Sequence, residues 1–174
     1  MDVFVEKMVK RKKTATDYLL MILIAAAPFV ISIGLLLVYI PKFTEIAVEL
    51  LPFIFAGLCY LAYIIIRSRN IEYEYLVTNG ELDIDIIISK RSRKRIFSGS
   101  SRDFDLIAPY ANENHSSALG NVKSRINAVS NIKDRGIYFV IAYDKGSKVG
   151  VLFQPDQRML EMFRKYIPGK VFTE

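Results

Sequence analysis

Five positive charges fall within six residues at Lys90-Arg91-Ser92-Arg93-Lys94-Arg95. Cationic side chains at that density attract phosphate, and near an anionic bilayer each is worth on the order of 1 kcal/mol. The competing use is internal. Glu74, Asp83 and Asp85 precede the run, and cross-strand ion pairs with them would offset its charge. A second constellation is Glu45 and Glu49, spaced i, i+4 so that a helix puts both on one face. Deep in a membrane such a pair serves an ion or proton site. Here both stand at the start of an apolar run beside Lys42, which places them at the headgroup level.

The remaining chemistry is sparse. One cysteine, Cys59, gives no disulfide within the chain, and one histidine, His115, argues against a His-based metal cluster or a Ser-His triad. Asp103 and Asp105 share a strand face with no acid/base partner in sight. Gly146-Ser147-Lys148 lacks the upstream glycine of a phosphate-binding loop. Asn114-His115-Ser116 matches a glycosylation sequon, which has no meaning in a cytoplasmic segment. The chain therefore reads as non-enzymatic, with no cofactor, metal or small-molecule substrate implied. No nucleic-acid motif accompanies its basic residues.

The elements that carry these residues begin with two apolar runs. The 174 residues are 52% hydrophobic, high for a wholly water-soluble chain, and the charges are unevenly spread. Residues 18–66 hold only Lys42, Glu45 and Glu49, whereas residues 67–174 hold 18 basic and 13 acidic side chains, a net charge of +5. Tyr18 to Ile40 is uncharged and long enough to cross a hydrocarbon core of about 30 Å, with Pro28 inside it. A second span runs from about residue 43 to residue 66. The few residues around Pro41-Lys42-Phe43 oblige the two helices to return as an antiparallel hairpin. Lys7, Lys10, Arg11, Lys12 and Lys13 precede the hairpin and Arg67 and Arg69 follow it, so the positive-inside rule puts both termini in the cytoplasm. Lys10, Arg11, Lys12, Lys13, Arg67 and Arg69 then act as interface anchors. The division is a basic N-terminal segment (1–17), a membrane hairpin (18–66) and a cytoplasmic domain (67–174).

In that domain the period changes to two. Residues 71–77 and 81–86 alternate about Asn79-Gly80, which is a type I′ hairpin signal. The turn pairs Val77 with Leu82, Tyr75 with Ile84 and Tyr73 with Ile86 on an apolar face, leaving Glu72, Glu74, Glu81, Asp83 and Asp85 on the other. Strands are expected at 94–98 and 104–108, and at 126–130 a strand or a helical turn. Residues 110–122 read as a surface loop. A second hairpin spans 136–143 and 148–153. Pro155-Asp156 starts an amphipathic helix carrying Met159, Leu160, Phe163, Tyr166 and Ile167 on one face. About seven strands and a closing helix make an α+β domain, a strongly bent sheet or partial barrel plugged by the helix.

With YLVTNGELDID near its start and GVLFQPDQRMLEMFRKYIP at its end, the chain resembles a family of short bacterial membrane proteins. These join a two-helix transmembrane hairpin to a C-terminal pleckstrin-homology-like (PH-like) domain. The resemblance implies a PH-like fold and a role in protein binding, scaffolding or self-association at the inner face of a bacterial membrane, with a protein partner or further copies of the chain. Phosphoinositide-binding PH domains carry basic residues along the first hairpin and its open loop. Here the Asn79-Gly80 hairpin is tight and acidic, which argues against that pocket. Two further readings are an anionic-headgroup site at residues 90–95 and a transporter or enzyme subunit using Glu45 and Glu49.

Overall fold

The structure is a computed structural model, and it describes residues 4–39, 45–111, 113–120, 122–144 and 146–173. The chain forms two compact units, Lys13–Asn70 and a second made of Met1–Lys12 together with Ile71–Glu174. The hairpin loop around Lys42 lies outside the described residues.

The first unit is a pair of helices, α1 (Ala15–Tyr39) and α2 (Glu45–Ser68). Thr14 and Asp17 cap α1 reciprocally. The Thr14 N–H donates to Asp17 Oδ2 at 3.0 Å, and the Asp17 N–H reaches Thr14 Oγ1 at 3.4 Å. The 25 residues of α1 extend about 37 Å at 1.5 Å per residue. The helices touch where Phe29 meets Phe55 edge-on, with ring centroids 5.2 Å apart. Large apolar side chains, among them Leu23, Val30, Leu37 and Phe53, remain exposed around both helices. Such surface is costly in water and neutral in lipid. Ala15–Leu37 and Glu49–Ser68 are each long and apolar enough to cross a membrane.

The second unit corrects the division drawn from the sequence. Phe4–Lys10 is a strand, β1, and belongs to the domain that resumes after the helices. It pairs antiparallel with β2 (Ile71–Thr78), from Phe4 opposite Thr78 to Lys10 opposite Glu72. The apolar hairpin is therefore an insertion between the first two strands of one sheet. That sheet continues with β3 (Glu81–Ile88) and β4 (Ser92–Ser100), in the order β1-β2-β3-β4. The β2–β3 register is the expected one, and Asn79 and Gly80 take the positive φ values of 51° and 87° that a type I′ turn needs.

The other sheet has the order β5-β7-β8-β6, from β5 (Phe104–Pro109), β6 (Ser124–Asn127), β7 (Tyr138–Asp144) and β8 (Ser147–Phe153). Eight strands are present among the described residues, and of the ambiguous segment 126–130 only 126 and 127 are strand, as the end of β6 parallel to β8, while 128–130 form neither strand nor helix. The expected loop at 110–122 contains a helix, α3 (Glu113–Gly120), whose Leu119 packs with Phe139, Ile141 and Leu152. Both faces of the second sheet are thus covered, which is why β7 reads as a nearly continuous apolar run. The closing helix α4 (Gln157–Tyr166) is capped by Asp156, whose carboxylate accepts the Met159 N–H at 2.8 Å. Its Met159 and Phe163 enter the main core with Tyr75, Leu82, Ile84, Phe104 and Phe153. The Tyr75 hydroxyl donates to the Ala128 carbonyl, and burial pushes its pKa well above the usual phenol value.

Candidate functional site

The basic run is built by a turn and a bulge. Ser89 and Lys90 have φ of 55° and 57°, and the Arg91 N–H donates to the Ile88 carbonyl at 3.1 Å to close the turn. In β4 the pairing steps by one residue: Asp85 lies opposite Arg95, and Ile84 opposite Phe97. The extra residue, Ile96, is a β-bulge, and it reverses the parity of the strand. Arg93 and Arg95 consequently share the outer face with Asp85, while Phe97, two positions on, enters the core with Ile84.

The outer face separates the five cations. Arg93 meets Glu74 at 2.6 Å, and Arg95 meets Asp83 and Asp85 at 3.0 Å each. These two arginines neutralise carboxylates of the neighbouring strands, two of them, Glu74 and Asp85, only 3% exposed. Burial, with Glu6 and Asp85 alongside, raises the Glu74 carboxyl above its ordinary value although Arg93 draws it down. Lys94 lies on the other face, across from Ile86. Lys90, Arg91 and Lys94 form no ion pair among the described residues.

Lys90 and Arg91 line an open groove of 660 Å³ together with Met8, Lys10, Glu72, Ile87, Ser92 and Arg93. Lys10 enters it from β1, far away in the chain. Across the sheet, Lys10, Glu72, Ile87 and Arg93 form one transverse row. A groove with ammonium and guanidinium groups around an apolar floor of Met8 and Ile87 suits an anion carried on an apolar body. Charge patterning in the sequence assigns Lys10 to anchoring alone. Its place in the groove is hidden there because the strand that positions it is separated from its partner by the apolar insertion.

The other candidate residues lie elsewhere. Lys12 pairs with Asp134 at 2.8 Å, and this ammonium with the Ser130 hydroxyl holds the Asp134 carboxyl below the usual carboxylate range. The Arg11 N–H donates to the Ile71 carbonyl at 3.0 Å. Arg67 donates to the Tyr63 hydroxyl at 2.6 Å and sits over its ring, while Lys13 and Arg69 flank the helices. Glu49 is exposed in the first turns of α2, and the Glu45 and His115 side chains lie outside the described residues. Asp103 stands in a 3-10 turn, and Asp105 pairs with Lys148 at 2.7 Å, so the two form no joint site. No cluster of three or more metal-ligating side chains occurs among the described residues.

The chain belongs to the family described as Bacterial PH-like domain (DUF6106), whose model matches residues 1–173. The match takes in β1 and both apolar helices as well as the later strands. No curated protein sequence matches the chain, and no solved structure does.

Proposed function

We propose that this bacterial PH-like chain is a non-enzymatic module anchored in the cell membrane by its hairpin, with both termini cytoplasmic. Its groove at Lys10, Lys90 and Arg91 engages anionic lipid headgroups. The observation that carries this reading is the convergence of cations from β1 and the β3–β4 turn at one end of a sheet. The strand ends leading into and out of the apolar helices, Lys10 and Ile71, belong to that same end. Only residues 11–14 and 69–70 separate those strand ends from the helices, so the groove is tethered within short reach of headgroups. Positive flanking charge orients the hairpin so that this end lies in the cytoplasm. A role in docking proteins at the same face is the second reading, favoured by the open edge of β1.

The test uses the full chain with Cys59→Ser and a fluorophore on Ser92→Cys, in vesicles of phosphatidylcholine with or without phosphatidylglycerol. Quenching by a spin-labelled headgroup should rise with the anionic lipid and fall with salt. Lys90→Glu with Arg91→Glu should remove at least about 2 kcal/mol of attraction, on the order of a 30-fold loss. Quenching indifferent to lipid charge sinks the headgroup reading. Arg93 and Arg95 are unsuitable for this test because both hold internal carboxylates.

A further inference from the structure

The free side of β1 carries an instruction for pairing. In an antiparallel ladder, alternate residues aim their N–H and C=O groups at the partner strand and the rest aim them away. The Arg11 N–H bonds Ile71 O at 3.0 Å, which makes Arg11, Val9, Lys7 and Val5 the residues bonded to β2. Glu6, Met8 and Lys10 then direct their backbone groups outward. The next outward residue confirms the alternation: the Lys12 N–H donates to Ser130 O at 2.9 Å. That bond closes the edge beyond Lys10. Before it, a groove of 510 Å³ lies between Lys7, Met8, Val9 and Lys10 on one side and Ser130, Arg135, Gly136 and Pro155 of the same unit on the other. The side chains of Glu6, Met8 and Lys10 are all exposed.

We propose that β1 pairs antiparallel with β1 of a second copy about a two-fold axis through Met8, setting Glu6 of each copy opposite Lys10 of the other. The occupant is chosen by charge. Three two-fold registers bring the free edges together around the middle of the strand. An axis at Glu6 sets two glutamates face to face, and an axis at Lys7 sets two lysines face to face. Like charges directly opposite destabilise a strand pair. The axis at Met8 instead gives two Glu6–Lys10 pairs flanking a Met8–Met8 contact, with Lys7 opposite Val9. Lysine on an edge strand repels most incoming strands. This register supplies each Lys10 with a carboxylate, so the same residue admits a second copy while discouraging other strands. Glu6 already lies against the Glu74 carboxyl, and a facing ammonium offsets that repulsion. The hairpin confines copies to one membrane plane, which raises their effective concentration.

Lys10 also lines the headgroup groove, but the pairing is read in detergent free of anionic lipid and Lys90 and Arg91 take no part in it, so its failure and that of the headgroup reading are distinguishable. Its test uses the full chain in detergent with Cys59→Ser and Met8→Cys. Directly opposed, bonded residues have Cα atoms about 5.5 Å apart, within disulfide range. Oxidation should yield a covalent dimer, whereas Phe4→Cys in place of Met8→Cys should not. Glu6→Lys or Lys10→Glu should each cut the yield at least tenfold. The double swap should restore it, since opposite charges then face each other again with their positions exchanged. A monomeric chain, a dimer indifferent to both single variants (one formed through the helices), or failure of the double swap to restore yield overturns the proposal. Circular dichroism of the single variants identifies loss of fold; even then, the restored yield of the double swap decides the matter.

Discussion

Replacing residues 13–70 by a short turn is expected to leave a folded, water-soluble domain, whereas the chain cut to residues 67–174 is expected to lose most of its stability. The ends to be joined are already neighbours, since Lys10 lies opposite Glu72 and Arg11 bonds Ile71. A hairpin loop of a few residues closes that gap at little entropic cost. The shorter fragment instead removes β1. It loses the packing of Val5 and Val9 against the main core and the ladder from Phe4 to Lys10, and it opens β2 as a new edge. Two partly buried valines contribute about 1–2 kcal/mol each, and ladder hydrogen bonds about 0.5–1.5 kcal/mol each. Even at the low ends of these ranges the combined loss is about 5 kcal/mol, comparable with the whole stability of a small domain. Urea unfolding followed by near-ultraviolet circular dichroism distinguishes the two chains. Equal midpoints for both would mean that β1 adds nothing to the sheet.

The second large effect is expected at Arg93. Arg93→Ala should destabilise the domain by about 2–3 kcal/mol, because it leaves the Glu74 carboxylate buried without its partner. The value sits at the low end for a broken buried pair because the Arg93 side chain is 56% exposed. Glu74→Gln should be neutral or mildly stabilising at neutral pH. The sign follows from the raised carboxyl. A group whose folded pKa lies above its unfolded value of about 4.5 binds more protons when folded, so its contribution is fully present below that value and is lost as pH rises through the folded pKa. Removing Arg93 raises the Glu74 pKa further, so the Arg93→Ala penalty should grow between pH 5 and pH 8. Glu74→Gln should abolish most of that penalty in the double variant. The groups facing Glu74 are Glu6 from β1, Asp85 from β3 and Arg93 from β4. A penalty that is flat with pH, or one that Glu74→Gln leaves in place, would separate Arg93 from Glu74. The pairing of Arg93 with Glu74 is why the headgroup test belongs at Lys90 and Arg91.

Several features needed nothing beyond local chemistry. The apolar spans follow from length and lack of charge, which lipid imposes on any crossing helix. Asn79-Gly80 dictates a type I′ turn, and a two-residue turn dictates the register from Val77–Leu82 to Tyr73–Ile86. Asp156 announces the cap of α4, and the 3.6-residue period announces its buried face. Residues 113–120 carry no such local signal, because polar and small residues favour neither helix nor strand. The packing of Leu119 against Phe139, Ile141 and Leu152 accompanies the helix there.

Two decisions belonged to the tertiary structure alone. The basic run was visible as charge, but its division was not. One extra residue at Ile96 turns Arg93 and Arg95 onto the acidic face and Phe97 into the core, and a bulge leaves no signal in composition. Strand β1 was equally hidden. Val5, Lys7 and Val9 alternate with the exposed Phe4, Glu6, Met8 and Lys10, a pattern without a clean apolar face. Its partner lies beyond two membrane-suited helices, and pairing at that separation has no local signature. The residues at 90–95 thus announced by themselves that charge was concentrated there. Only the assembled sheet determined that two arginines hold the fold together, while Lys90 and Arg91 join Lys10 to form the groove. The reason is physical: residue type sets what a side chain can bind, and strand pairing sets which partner it meets first.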